Sequence, residues 1–130
     1  MKNTILSTLL VVWLIPPSTT MAFIQFHSEF KKLNITEQTP PEFKKLIRET
    51  RCAICHDSTK KKPSGSLDKK YRNPYGEALD ELLDKDDKKD KLKIQEALKT
   101  IANQKYSGYD KTYGKRIEDY QLPYDVPISE

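Results

Sequence analysis

The chain has 130 residues, of which 32% are charged, and it carries a formal net charge of +4. This length allows one small domain with a modest apolar core. Because acidic residues are interspersed among the lysines, the weak positive charge does not form a nucleic-acid-binding face, and we expect no nucleic acid among the partners.

The first 22 residues have the pattern of a secretory signal peptide. Lys2 precedes an apolar run over 5–15, and a short polar stretch then leads to a predicted cleavage site after Ala22. The run is shorter than the roughly twenty residues that span a bilayer, so a retained anchor is the weaker alternative. We therefore predict a periplasmic or secreted protein with no stable membrane span after cleavage, whose single domain is 23–130.

The segment 23–38 predicts the first helix of this domain. Its apolar residues recur at the spacing of one helical face, namely Phe23, Phe26, Phe30 and Leu33. His27 lies at the edge of that face. The simplest interpretation of His27 is a partly exposed helix residue, but it is also the only histidine outside the cysteine motif described next.

A second helix is predicted to begin at Thr39 and to run toward Ile54. Thr39 can cap the helix, proline is tolerated in its first turn, and Glu42 occupies the capping-box position. This helix would place the segment 52–56 at its C-terminal end.

The segment 52–56 has the sequence C-x-x-C-H and contains both cysteines and one of the two histidines of the chain. This spacing is typical of covalent haem attachment. Cys52 and Cys55 would form thioethers with the two vinyl groups of one porphyrin, and His56 would be the proximal ligand of the iron. We therefore predict one covalently bound haem c as the cofactor.

Three other interpretations of the cysteines are weaker. A thioredoxin-type redox pair opens a helix, where the helix N-terminus stabilises the thiolate, whereas this pair closes the predicted helix. A structural zinc ion needs four ligands, usually in two pairs, and the only candidates are Cys52, Cys55, His56 and the distant His27. A disulfide that closes so short a loop would add little stability.

The remainder of the chain predicts helices and loops but no strands. In chain order we expect a loop over 58–70, a helix that begins at Asn73-Pro74, a charged turn over 84–91, a helix over 92–106 and a short helix over 113–120. The inner face of the helix after Asn73 would consist of Tyr75, Ala78, Leu79, Leu82 and Leu83. The predicted fold is all-α, a compact bundle of about four short helices around the haem.

Two Tyr-Gly pairs, Tyr75-Gly76 and Tyr113-Gly114, each occur at a predicted helix start. Glycine there would allow a flat object such as a porphyrin to approach the backbone closely. Alternatively, both pairs are simply residues of the helix entry.

From Cys52 onward, the chain resembles small secreted bacterial proteins of the single-haem cytochrome c type. The shared elements are the C-x-x-C-H motif, a basic loop, R-N-x-Y-G at 72–76, [YF]-G-x-x-I at 113–117 and Leu122-Pro123. The resemblance covers about 41–123, and only its haem motif is specific. It implies a cytochrome c-like fold and electron transfer, with Cys52 and Cys55 as attachment residues and His56 as the proximal ligand.

The chain departs from ordinary cytochromes c at the sixth iron ligand. Those proteins commonly supply a methionine, but this chain has no methionine after Met21. Three alternatives remain: His27 completes a bis-histidine site; a Lys, Tyr, Asn or the new N-terminal amine binds; or the position is open.

We therefore expect an electron carrier rather than an enzyme, because the sequence presents no catalytic acid, base or nucleophile. Redox partner proteins could dock through the lysine-rich face formed by Lys60 to Lys62, Lys69 and Lys70. The alternative function is a haem-based sensor or gas-binding module, which requires an open sixth position.

Overall fold

The structure is a computed structural model that describes residues 21–84 and 86–126, with side chains from Gln25 onward. Within these ranges the regular elements are five α-helices, and no β-strand is present: α1 (Met21–Asn34), α2 (Pro41–Thr50), α3 (Pro74–Glu81), α4 (Lys91–Ala102) and α5 (Tyr113–Glu118). The predicted all-α class is confirmed. The predicted signal peptide over 1–22 lies outside the described residues, except for the first two residues of α1.

Side-chain caps begin three of the helices. Asn73 accepts a hydrogen bond from the Gly76 amide at the start of α3, as predicted from the Asn73-Pro74 pair. Asp90 caps α4 and Thr112 caps α5 in the same way. Each cap satisfies an amide that the first helical turn leaves without a partner.

The start of α2 differs from the prediction, because Pro40 rather than Thr39 precedes the helix and no side chain caps it. The Thr39 hydroxyl instead accepts a hydrogen bond from the Thr36 amide, at 2.9 Å, and Thr39 is buried. Thr39 therefore closes the turn that joins α1 to α2.

The end of α2 also differs from the prediction that the helix runs on toward Ile54. The helix ends at Thr50, and Arg51 has a φ of 44°. Positive φ is sterically unfavourable for a residue with a Cβ and is incompatible with a continuing right-handed helix. A separate 3₁₀ turn, Arg51–Ile54, follows and contains the first part of the cysteine motif.

The core is formed by apolar side chains from all the described helices. Its buried residues are Phe30, Phe43, Ile47, Ile54, Tyr75, Leu79, Leu83, Ile94, Ala97, Leu98, Ile101, Tyr113 and Ile117. Helix α4 contacts α1, α3 and α5, and is thus the central helix of the packing. At the middle of the core the Tyr75 ring lies edge-on to both Phe30 and Tyr113.

Two leucines that fit the helical period do not enter the core. Leu82 is 43% exposed because α3 ends at Glu81, which contradicts its predicted place on the inner face. Leu46 of α2 is 37% exposed. Among the described residues, no helix is both long enough and apolar enough to cross a membrane.

Candidate functional site

The C-x-x-C-H motif forms a tight turn between α2 and the loop that follows. The amides of Cys55 and His56 both donate to the Cys52 carbonyl, at 3.2 and 3.0 Å. Both cysteines are free thiols and are partly buried. One tight backbone turn therefore carries the two thiols and the imidazole.

Asn73 fixes this turn to the start of α3. Its side-chain amide donates to the carbonyls of Ala53 and Ile54, at 3.1 and 3.0 Å, and its backbone amide donates to the Cys55 carbonyl, at 3.1 Å. Its side-chain oxygen accepts from Gly76. One residue, 4% exposed, thus satisfies three carbonyls of the motif and one helix amide.

The two glycines of the Tyr-Gly pairs lie against backbone atoms of the protein itself. A Cβ on Gly76 would lie 1.9 Å from the Cys55 carbonyl oxygen, and one on Gly114 would lie 2.8 Å from the Ala102 carbonyl oxygen. Both positions need glycine because one part of the chain packs on another. At both glycines, the close approach that one of the two interpretations assigned to a porphyrin is made by the polypeptide.

His56 is oriented by the loop that follows the motif. Its Nδ1 lies 3.2 Å from the Tyr71 carbonyl oxygen and donates to it, which leaves Nε2 with its lone pair available. Burial lowers the pKa of His56 below its ordinary value of 6.5, so the neutral imidazole is favoured. A neutral imidazole whose second nitrogen is held by a backbone carbonyl is the usual arrangement of a metal-ligating histidine.

A cavity of about 220 Å³ adjoins this imidazole. Apolar side chains form much of its wall, namely Phe26, Phe30, Ile54, Leu79, Leu83 and Leu98. Cys55, His56 and His27 all line it, so the structure brings together three of the four predicted site residues. Cys52 lies on the same turn but is not among the lining residues.

His27 belongs to α1, which is distant from the motif turn in the sequence, and it also lines the cavity. Its Nε2 lies 3.4 Å from the Ile47 carbonyl oxygen, a long contact. Burial is the main cause that lowers the pKa of His27, with smaller effects from the cations Lys31 and Arg51. His27 is therefore a neutral imidazole placed at the same cavity as His56.

Charged residues form another part of the cavity wall. Asp80 accepts from Lys88 at 2.7 Å and pairs with Arg72 at 3.0 Å. Arg51 and Lys69 also line the cavity. The sequence did not predict the roles of Asp80 and Lys88, because they come from α3 and from the 3₁₀ turn Asp87–Lys89, and no local pattern relates them to the motif.

The thiol of Cys55 is poorly suited to redox exchange as a free cysteine. Burial raises its pKa to about 12, an effect that Arg72 only partly offsets. A thiol with so high a pKa stays protonated at neutral pH, whereas exchange requires the thiolate. This environment weakens the thioredoxin-type interpretation.

Within the described part of the chain, no three or more His, Cys, Asp or Glu side chains cluster so as to hold a metal ion by themselves. No protein-family model matches the chain, and neither a curated protein nor a solved structure does. The site is therefore interpreted from its own chemistry.

Proposed function

We propose that this protein is a c-type cytochrome that carries one covalently bound haem and transfers single electrons between redox partners. The observation that carries the proposal is the geometry of His56, whose Nδ1 is held by the Tyr71 carbonyl beside a largely apolar cavity that Cys55 also lines. The residues present fit a haem, because they offer one thiol at the cavity (Cys55), a second on the same turn (Cys52), an oriented imidazole and an apolar wall.

Each residue of the site has one task in this proposal. Cys52 and Cys55 would hold the porphyrin, and Nε2 of His56 would bind the iron. The haem supplies the one-electron chemistry when bound. The side chains of Phe26, Phe30 and the cavity leucines exclude water, and that exclusion tunes the reduction potential.

His27 is the proposed distal ligand. It is an imidazole at the same cavity as His56, and bis-histidine ligation lowers the reduction potential relative to a His/Met pair. Among the described side chains, Lys69 and Lys88 also line the cavity, so lysine is the other ligand type at this wall.

A haem-based sensor or gas-binding module is the second candidate function. It is favoured by the contact between His27 Nε2 and the Ile47 carbonyl, because this nitrogen, unlike Nε2 of His56, is engaged by the backbone and would not bind the iron while that contact is made. The two functions share the haem and differ only at this position.

Mass spectrometry of the protein purified from a host that attaches haem covalently tests the shared part. We expect the mass of the chain plus one haem, and loss of the covalent haem in a Cys52→Ala/Cys55→Ala variant. A wild-type mass equal to that of the polypeptide alone would contradict both functions.

Optical and EPR spectra with and without carbon monoxide separate the two. Low-spin iron that does not bind carbon monoxide supports the carrier, and high-spin iron that binds it supports the sensor. A His27→Ala variant should convert the low-spin spectrum to high-spin. Unchanged low-spin spectra in that variant would exclude His27 as the ligand.

The signal-peptide pattern supports a site of action outside the cytoplasm, in the periplasm or the medium. The lysine-rich face of Lys60 to Lys62, Lys69 and Lys70 supports docking to acidic redox proteins. Every side chain of that face is exposed.

A further inference from the structure

The cavity wall combines two chemically different parts. Among the residues that the structure describes, six of its side chains are apolar, and four others are cationic, namely Arg51, Lys69, Arg72 and Lys88. Within the same described ranges, Asp80 is the one acidic residue that lines the cavity. A ligand that matches this wall has a large apolar body and carries negative groups.

Arg72 and Lys88 lie close together because they share one carboxylate. The same oxygen of Asp80 is 3.0 Å from an Arg72 nitrogen and 2.7 Å from Lys88 Nζ. Their side chains are 33% and 25% exposed, so both cations are partly desolvated at the cavity. Two cations that share a single carboxylate keep unused donors, since guanidinium has five and ammonium has three.

We propose that Arg72 and Lys88 bind the propionate carboxylates of the porphyrin, with Asp80 as the residue that positions both cations. This inference rests on the proposed function and adds the groups that recognise the polar end of the haem. Arg72 is suited to a carboxylate because its planar fork can donate two parallel hydrogen bonds. Lys88 supplies a point charge that can follow the second carboxylate.

The position of Arg72 in the fold supports this assignment. Arg72 forms an antiparallel backbone bridge with His56, and its side chain lines the same cavity as Cys55 and His56. The residue that follows it, Asn73, fixes the motif turn. Arg72 is therefore held relative to the groups that would attach the porphyrin.

The test uses the holo-protein prepared with haem that carries ¹³C in its propionate carboxylates. Redox-induced infrared difference spectra are recorded for wild type, Arg72→Gln, Lys88→Gln and the control Lys93→Gln. Lys93 pairs with Asp87 and does not line the cavity. We expect the labelled carboxylate bands to shift in the first two variants and to stay unchanged in the control.

The reduction potential provides a second readout in the same proteins. It should fall in Arg72→Gln and Lys88→Gln, because loss of a nearby cation favours the more positive ferric state. In Arg72→Lys, which keeps the charge but loses the fork, the potential should stay near wild type while the labelled bands still shift. Labelled bands that are identical in wild type, Arg72→Gln and Lys88→Gln would overturn the inference.

A measurement on wild type alone keeps the inference testable if a variant fails to fold. In the diamagnetic ferrous protein, nuclear Overhauser effects are expected between the propionate methylene protons and the side-chain protons of Arg72 and Lys88. Their absence at both residues, in a protein whose mass includes one haem, would exclude this binding mode and leave the proposed function standing. A chain without haem would instead remove both.

Discussion

Gly76 is the residue at which the motif turn and α3 come closest. The Cβ of an alanine there would overlap the Cys55 carbonyl oxygen, which is a backbone atom and cannot rotate away. The separation between the turn and α3 is therefore set at this one position, next to the thiol that would attach the haem.

The Gly76→Ala substitution should destabilise the protein by about 1 to 3 kcal/mol, the usual cost of overpacking a well-packed interior. Thermal or urea unfolding of the holo-protein measures the change. Gly108→Ala is the matched control, because the new Cβ would meet only the Tyr106 ring, at 3.3 Å and on an exposed segment. Equal stabilities of the two variants would contradict the tight contact.

A comparable prediction about stability concerns Asn73, which acts through hydrogen bonds rather than through packing. Asn73→Asp keeps the oxygen that caps α3 but replaces the amide that donates to Ala53 and Ile54 with a carboxylate oxygen. We expect the free energy of unfolding to fall by about 3 kcal/mol at neutral pH, because a buried charge then faces two carbonyls. Acidification should restore part of this stability, since a protonated Asp side chain can donate a hydrogen bond.

The matched control for this exchange is Asp90→Asn at the cap of α4. The side chain of Asp90 caps α4 through the same type of oxygen. The residue is exposed, and its side chain donates no hydrogen bond that the substitution would remove. Its effect should stay within about 0.5 kcal/mol, because Asn and Asp are equivalent caps. An Asn73→Asp variant as stable as Asp90→Asn in urea titrations would refute the bridging role.

At the scale of elements, α1 and α4 are joined by a polar contact as well as by apolar packing. The Glu29 carboxylate is 1% exposed and accepts from Lys32 of its own helix and from Gln95 of α4. These hydrogen bonds hold the pKa of Glu29 below its usual value of 4.5, and the one from Lys32 has the largest effect. The α1–α4 contact should therefore weaken when this carboxylate is protonated.

This contact predicts a pH dependence of stability. Because the pKa is depressed in the folded state, the contribution of Glu29 is present above pH 4.5 and is lost as the pH falls through the lower folded value. In Glu29→Gln, the decline in unfolding free energy below pH 4.5 should be shallower than in wild type. Glu81→Gln, at an exposed position of α3, should retain the wild-type slope.

The boundaries of the elements show which features local sequence can predict. The cap of α3 followed from Asn73-Pro74, since both capping and proline preference act within one turn. The end of α2 did not, because the positive φ of Arg51 has no local signal and nothing in the sequence interrupts the helical pattern there. Thr39 fits the sequence pattern of a helix cap, but its hydroxyl accepts from the Thr36 amide instead. The capping pattern does not include Thr36, so it could not predict this hydrogen bond.

The site at the scale of the whole molecule was predictable only in part. Cys52, Cys55 and His56 lie within five residues of the sequence, so the motif alone predicts that they share one turn. The presence of His27 in the same cavity depends on how α1 packs. The ion pairs of Asp80 with Arg72 and Lys88 join residues from three separate segments of the chain. Such placements are set by tertiary packing, which a local pattern does not encode.

The distribution of charge over the molecule gives a prediction for association with partners. If the proposed function holds, the triple variant Lys60→Gln/Lys61→Gln/Lys62→Gln should slow electron transfer with an acidic redox protein on the order of two- to tenfold at low salt. It should also flatten the dependence of the rate on ionic strength. Stopped-flow measurements at several salt concentrations provide both values.

A second triple variant controls for the loss of net charge alone. Lys91→Gln/Lys99→Gln/Lys105→Gln removes the same charge from exposed positions on and after α4. It should leave the rate closer to that of wild type. If both triple variants slow the transfer equally, the lysines near the motif have no special role in docking.

The aromatic contacts around Tyr75 give the molecule an intrinsic optical signal. The only tryptophan of the sequence, Trp13, lies in the predicted signal segment, so residues 23–130 would emit through their seven tyrosines. Phe30 contacts Tyr75 and also lines the cavity, so this tyrosine lies one ring away from the proposed haem. Energy transfer to a bound porphyrin would quench its emission, and unfolding would restore it. If the protein carries the proposed haem, tyrosine fluorescence would therefore follow its unfolding without any added label.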